Sequence, residues 1–371
     1  MGGETREGQI NTHNMQTLLR PKASLSGVDL RGSVLEGMDL EGADLSGANL
    51  EGVSLTEVKL CRCNMRGANL AMTQLFNTDL SHADLSEAIL TDASLNGVVL
   101  YASTFQWCRL ERVAFFESIL GMADFRHTYL RNAYFQACDA QEANFLRADF
   151  SDAHLLGSNF SKANLAQAKL VGSDLTGTNL SKAMLAEANL TNAVLFSVDL
   201  SKASAPGAIF RDAVLEAANA RLADLSDGDF TGAKASGTNF ERAALTKARM
   251  HQFMADRAVF EFADLRKASM YEASFVQAHL VGAALSGARA ASCNFREADL
   301  YWAEMEDFEW MQCDTHGTRL PEKQIVVFGP KGVSPPDAPT IPLYRKAATP
   351  AERRNLLESV LQDALDHNKK Q

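Results

Sequence analysis

The sequence predicts an all-β solenoid built from square coils of about 20 residues, and three observations carry that prediction. First, an apolar residue recurs every five positions without a frame shift, from Leu25, Leu30 and Leu35 to Met305 and Trp310, which makes 58 registered positions. Most are Leu or Phe, with a few Met, six Ala and the final Trp310. Second, the residue two places earlier is almost always small, as at Ala43, Ala48, Cys63, Ala68, Ala163 and Ala188, with Met38, Phe253 and Phe308 as the bulky exceptions. Third, Ser161-Lys162-Ala163, Ser181-Lys182-Ala183 and Ser201-Lys202-Ala203 recur at spacings of 20.

The period of five excludes the ordinary elements. A helix spaces its apolar residues three and four apart, and a half-buried strand spaces them two apart. One large and one small inward residue per five fits a short straight edge followed by a tight turn. Four edges close a coil in which large side chains fill the axis and small ones fit under the corners. The 20-residue recurrences are the columns expected when successive coils stack directly above one another. With a strand spacing of about 4.8 Å, about 14 coils extend roughly 70 Å.

Between the small and large positions the chain favours Asp or Asn, as at Asp44, Asn49, Asn69, Asp84, Asn164 and Asn189. Fourteen Asp residues precede an axial residue, where a short polar side chain can hydrogen-bond the turn. The recurring (Ala/Ser)-(Asp/Asn)-Leu-x-x units resemble the pentapeptide-repeat family over about residues 23–310. That resemblance implies a right-handed quadrilateral β-helix.

Four segments follow. Residues 1–22 are expected to form an N-terminal cap, because a solenoid end exposes unpaired backbone and apolar edges. Residues 23–310 form the β-helix. Residues 311–348 read as an irregular cap and a Pro-rich linker containing Pro335, Pro336, Pro339 and Pro342. Residues 349–371 predict a short amphipathic α-helix: Thr349 is the N-cap, Pro350 the first helical residue and Glu352 the partner in a capping box. Its apolar stripe of Leu356, Leu357, Val360, Leu361 and Leu365 either caps the last coil, docks a partner or forms a homodimer. At Phe253 and Ala255 the large and small positions are reversed, which implies either an exchange of volume within one layer or a local bend.

Composition narrows the function. A formal charge of −10 argues against a direct nucleic-acid binder, which needs a basic patch. No run approaches the roughly 18 apolar residues of a membrane span. Met1–Arg20 lacks the apolar core of a secretory signal, and six cysteines in 371 residues are too sparse for a disulfide framework. The expected setting is cytoplasmic and bacterial, with signal-independent export left open.

A filled interior offers no concave catalytic pocket. The eight histidines are scattered, with no two in one column on adjacent coils. Cys63, Cys108, Cys138 and Cys293 occupy small inward positions, and Cys313 with His316 lacks two further ligands for a metal. The sequence carries no phosphate-binding loop, nucleophile elbow or dinucleotide fingerprint. No catalytic residue, cofactor or metal is expected.

The candidate site is therefore a surface. One outward column reads Phe76, Asn96, Phe116, Gln136, Leu156, Thr176 and Phe196, so apolar groups recur on every second coil. Phe76, Phe116, Leu156 and Phe196 form a candidate partner-binding stripe, weighed against scattered surface hydrophobes. The Lys162–Lys182–Lys202 column reads as a solvated edge relieved by nearby acids. The leading function is a non-enzymatic scaffold or adaptor for a protein partner. A long repeat rod with a helical extension also resembles pentapeptide-repeat proteins encoded with type VI secretion effectors, which implies effector loading. The alternative that the family resemblance implies is a DNA mimic that binds a type II topoisomerase such as gyrase. Residues 23–310 carry 24 basic and 37 acidic residues, a net of −13. DNA of the same length, roughly 70 Å, carries about 40 charges at one per ~1.7 Å.

Overall fold

A computed structural model describes residues 19–321, all within the first of two compact units, Met1–Gly329. Most of the expected N-terminal cap, the Pro-rich segment and the amphipathic helix at 349–371 lie outside the described residues, and so do Leu356, Leu357, Val360, Leu361 and Leu365.

The chain winds into a parallel β-solenoid of about 14 coils, the stacked 20-residue coils expected from the repeat. Every described pairing joins residues 20 apart. Ten three-residue strands are long enough to be named: β1 (Val34–Glu36), β2 (Ser54–Thr56), β3 (Gln74–Phe76), β4 (Ser94–Asn96), β5 (Ala114–Phe116), β6 (Tyr134–Gln136), β7 (Arg249–His251), β8 (Ser269–Tyr271), β9 (Arg289–Ala291) and β10 (Glu309–Met311). Strands β1 to β6 form one parallel sheet and β7 to β10 another. The two lie on adjacent sides of the square, since their axial residues fall five positions apart in the 20-residue frame. The remaining edges pair through single-residue bridges such as Asn159↔Asn179 and Asp199↔Asn219.

One unit shows how the pattern builds itself. Leu180 N donates to Asp199 O at 2.7 Å on the next coil, and Ala183 N donates to Leu180 O at 3.0 Å across the corner. That second bond closes a four-residue turn whose third residue, Lys182, has φ of 60°. A positive φ there is the signature of a type II turn. All sixty equivalent corners from Lys22 to Gly317 have φ between 47° and 72°, and forty-three of them are not glycine. None of the sixty is Val, Ile, Thr or Pro. β-Branched side chains and Pro are the residues least able to adopt this backbone region, so the corner filters the sequence as strongly as the core does.

The axial column is buried from Leu25 to Met305, and the small column is buried beside it from Ala43 to Phe308. Aromatic residues stack coil on coil: Phe105 on Phe125 at 4.6 Å and Phe125 on Phe145 at 4.9 Å between ring centres. Hydroxyls in the small column donate to carbonyls, as Thr73 does to Leu70 O at 2.7 Å and Thr178 to Leu155 O at 2.6 Å. No buried side-chain N or O atom among the described residues lacks a partner.

The Asp and Asn residues before the axis close the turns as expected. Ser46 N donates to Asp44 Oδ1 at 3.1 Å, and Ser181 N donates to Asn179 Oδ1 at 2.9 Å. They also bond between coils, as when Asn159 Nδ2 donates to Asp139 Oδ1 at 2.9 Å.

Phe253 resolves the reversed layer as an exchange of volume. Its side chain is fully buried, with ring centres 5.8 Å from Phe230, 6.4 Å from Phe240 and 6.2 Å from Phe275. These three rings come from three different sides, so Phe253 reaches the axis where Ala235 and Ala255 leave room. The backbone stays in register, with Gln252 N to Tyr271 O at 2.7 Å and Ala255 N to Ser274 O at 2.8 Å. At the far end the ladder continues past Trp310, through Asn294↔Asp314 to Asp299↔Arg319.

Candidate protein-binding face

The side of the solenoid built on β2 to β6 continues in the same register to Leu195. On each edge of this side the axial residue points inward and its two neighbours point outward, because successive side chains on a strand alternate. Phe76 and Phe116 are paired in register with Asn96 between them, and Gln136 follows Phe116. Phe76 and Phe196 are each 46% exposed and Leu156 40%, whereas Phe116 is half-buried. Beside Phe116 a shallow depression of about 240 Å³ is lined by Asn96, Phe116, Glu117, Gln136 and Ala137.

The other outward position of each edge completes the face. Tyr134 is 47% exposed and its ring stacks on His154 at 4.8 Å. Val194 stands two residues before Phe196 on the same edge. Sequence reasoning followed one of the two outward columns and missed these residues, although alternation along the edge points to them. Between Ser54 and Phe196, sixteen outward positions on this side include one charged residue, Asp174. The same eight coils carry six charges on the adjacent side, Glu51, Arg109, Glu111, Arg131, Asp149 and Lys169. Loss of charge together with aromatic gain is the compositional mark of an interface centre.

Several groups on the other surface columns have partners of their own. Lys162 Nζ lies 2.7 Å from Glu142 Oε1, which relieves one end of the lysine column. Hydrogen bonding to Lys162 holds the Glu142 carboxyl below its usual range. His127 stacks on Trp107 at 4.3 Å with nearly parallel rings, and His251 packs edge-on to Tyr271. Among the described residues no group of three or more His, Cys, Asp or Glu side chains is placed to hold a metal ion.

Cys63, Cys108, Cys138 and Cys293 are buried at the small inward positions. Burial pushes the Cys63 thiol up to about 12 and the Cys138 thiol up to about 11, so both stay neutral at physiological pH. No helix among the described residues is long and apolar enough to cross a membrane.

The family model for pentapeptide repeats matches nine segments, residues 23–60, 43–81, 78–115, 118–157, 158–195, 194–232, 223–252, 256–289 and 273–308. Two short gaps remain within 23–308, at 116–117 and 253–255, and the second falls on the layer in which Phe253 and Ala255 exchange volume. Among solved structures, HetL, a pentapeptide repeat protein involved in heterocyst differentiation regulation in the cyanobacterium Nostoc, is 22% identical, with 78% of this chain and 92% of HetL covered and a TM-score of 0.21. A pentapeptide repeat protein of the Arabidopsis thaliana thylakoid lumen is 26% identical, with 32% of this chain and 69% of that protein covered and a TM-score of 0.25. QnrB1, a plasmid-mediated fluoroquinolone resistance protein, is 18% identical, with 59% and 83% covered and a TM-score of 0.28. No curated protein sequence matches the chain.

Proposed function

Because the chain belongs to the pentapeptide-repeat family, we propose that it is a non-enzymatic scaffold that binds a protein partner on the side bearing Phe76, Phe116, Leu156 and Phe196. The charge depletion of that side carries the reading. A solenoid exposes four equivalent sides, and nothing in the repeat requires one of them to shed charge while gaining Phe, Tyr and Val. Exposed apolar groups on a rigid surface supply recognition at little cost in ordering, and a shallow depression at Phe116 offers a seat for one partner side chain.

Affinity capture with the whole protein tests this. A partner held by the wild type and released by the Phe116→Ser/Phe196→Ser variant, with the melting temperature unchanged, is the expected result. Capture that survives both substitutions removes the face from the interaction. Effector loading for type VI secretion is the narrower form of this reading, and it requires the captured partner to be a secreted effector.

The alternative is binding to a type II topoisomerase by DNA mimicry, carried over from the family. Against it, acidic residues along the coil are neutralised by neighbours: Arg131 Nε to Asp149 Oδ2 at 2.9 Å, Arg211 Nε to Asp229 Oδ2 at 2.7 Å and Arg221 Nε to Glu241 Oε2 at 3.0 Å. Inhibition of gyrase supercoiling by the purified protein would favour the alternative and count against the scaffold reading.

A further inference from the structure

The last two described coils carry a pair of cysteines with no counterpart elsewhere among the described residues. Cys293 and Cys313 occupy the same small inward column, one coil apart, immediately before the bridged residues Asn294 and Asp314. Asp314 N donates to Cys293 O at 2.9 Å, which fixes the two coils in register at this point. Residues in register on neighbouring strands have Cα atoms about 4.8 Å apart. That lies inside the roughly 4.4–6.8 Å range of disulfides. The remaining cysteines have no such neighbour: Cys63 stacks between Ala43 and Ala83, Cys108 between Ala88 and Thr128, and Cys138 between Ser118 and Ser158.

The two thiols also differ in the way that exchange chemistry requires. Cys293 is buried and Cys313 is partly exposed. Cys293 Sγ donates to Ala291 O at 3.4 Å and Cys313 Sγ to Ala290 O at 3.5 Å, and interaction between the two thiols holds Cys313 below its usual range while it and burial push Cys293 up. Cys313 is thus the reachable nucleophile and Cys293 the resolving thiol behind it.

We propose that Cys293 and Cys313 are a thiol–disulfide site that reversibly fastens the last described coil to the coil before it. The oxidant is a low-molecular-weight disulfide of the glutathione class. The Cys313 thiolate attacks one of its sulfurs, forming a mixed disulfide and expelling one thiolate. Cys293 then loses its proton and attacks Cys313 Sγ, forming the Cys293–Cys313 bond and expelling the second thiolate. Two protein thiols are oxidised and one small disulfide is reduced to two thiols. The site is well placed to matter, since the last bridge among the described residues, Asp299↔Arg319, lies only six residues beyond Cys313. Trp310, the end of the axial column, is only partly buried.

The whole protein is incubated with oxidised glutathione, and its thiols are counted and mapped by non-reducing peptide mass spectrometry. The expected result is a fall from six free thiols to four, with one cross-linked peptide joining Cys293 to Cys313, reversed by dithiothreitol. Limited trypsin digestion of the same samples should cut after Arg319 at least roughly tenfold more slowly in the oxidised protein, because a bridge closing a loop of this length suppresses local opening. The Cys313→Ser variant should show no such difference between oxidising and reducing conditions. Six unchanged thiols, glutathione retained on Cys313, or a bridge between two molecules would each overturn the proposal.

Discussion

The exchange of volume at Phe253 yields a quantitative prediction. Phe253→Ala removes a fully buried ring that touches three axial phenylalanines, and a Phe-to-Ala truncation of this kind costs about 3–5 kcal/mol. Ala255→Phe in the wild-type background places a second large side chain in a filled layer and should cost about 1–3 kcal/mol. The double variant restores the regular order, with the small residue at the corner and the large one on the axis. It should cost less than about 1.5 kcal/mol, as volume-conserving exchanges do. The coupling between the two sites is then at least about 2.5 kcal/mol. Urea unfolding followed by circular dichroism gives the global differences. Hydrogen exchange at the amides of Ala255 and Ser274 gives the local ones, which matters because long repeat arrays need not unfold in two states. If the two costs add, Phe253 and Ala255 do not share one space and the layer is explained by a bend.

Three further predictions test the fold at other levels. Leu180→Asp puts an uncompensated charge at a position with no solvent exposure and should abolish the cooperative transition, whereas a variant with the wild-type melting point would disprove the axial register. At the corner, Lys182 has φ of 60°, so Lys182→Gly should stay within about 1 kcal/mol of wild type while Lys182→Val loses about 1–3 kcal/mol. Equal urea midpoints for the two variants would contradict the turn geometry. Burial opposes ionisation of Asp149, but hydrogen bonds from Ser151 and Arg131 outweigh it and hold the carboxyl below its usual 3.8. A depressed native pKa stabilises the fold above the unfolded value and loses that contribution as pH falls through the native one. Asp149→Asn should therefore cost about 1–2 kcal/mol at pH 7. The gap to wild type should close below pH ~4, and a gap that stays constant to pH 2 would show that the carboxylate is not the source.

The inward half of this fold is legible in the sequence because one rule governs it. Leu180 and Ala183 sit where they do for the same reason as every other axial and small residue, so 58 repetitions expose the register. The corner rule is equally regular but harder to read. Gly27, Gly32, Gly37, Gly42, Gly47 and Gly52 mark it openly near the start, whereas later corners hold Lys162, Glu187 or Phe262, which share no obvious chemistry. What unites them is what is missing, the β-branched side chains, and an absence shows only once the backbone angle is known. Phe253 lies beyond one-dimensional reasoning altogether, since deciding between exchange and bend required the positions of Phe230, Phe240 and Phe275. On the surface, the 20-residue columns located Phe76, Phe116, Leu156 and Phe196 correctly as outward residues on one side. Tyr134 and Val194 were missed because the second outward position of each edge was not followed.

The size of that side constrains how a partner engages it. Phe76 to Phe196 spans six coil steps, about 29 Å at the strand spacing. A stable interface buries about 800 Å² per partner, so a partner confined to this stretch must reach about 28 Å across, more than one edge of the square provides. It must extend over a corner. The corner that follows the stripe offers Gly97, Ala137, Gly157 and Gly177, which leave the backbone open to close approach, with Glu117 among them. Ala137 also lines the depression beside Phe116. Ala137→Arg is therefore the sharper probe of the scaffold reading. The turn tolerates the substitution, since Arg62, Arg112 and Arg147 adopt φ of 58° at equivalent corners and Ala137 itself has φ of 53°. The variant should keep the wild-type melting temperature and urea midpoint, because nothing inside the coil changes. Its guanidinium would project over the depression and place a bulky cation beside the side poorest in charge, and capture should fall at least tenfold, about 1.4 kcal/mol. The same substitution at Asn192, on the other corner of this side, supplies the control. If both variants capture the partner as well as wild type does, the partner does not cross the corner beside Phe116, and a 29 Å strip one edge wide would be too small to hold it.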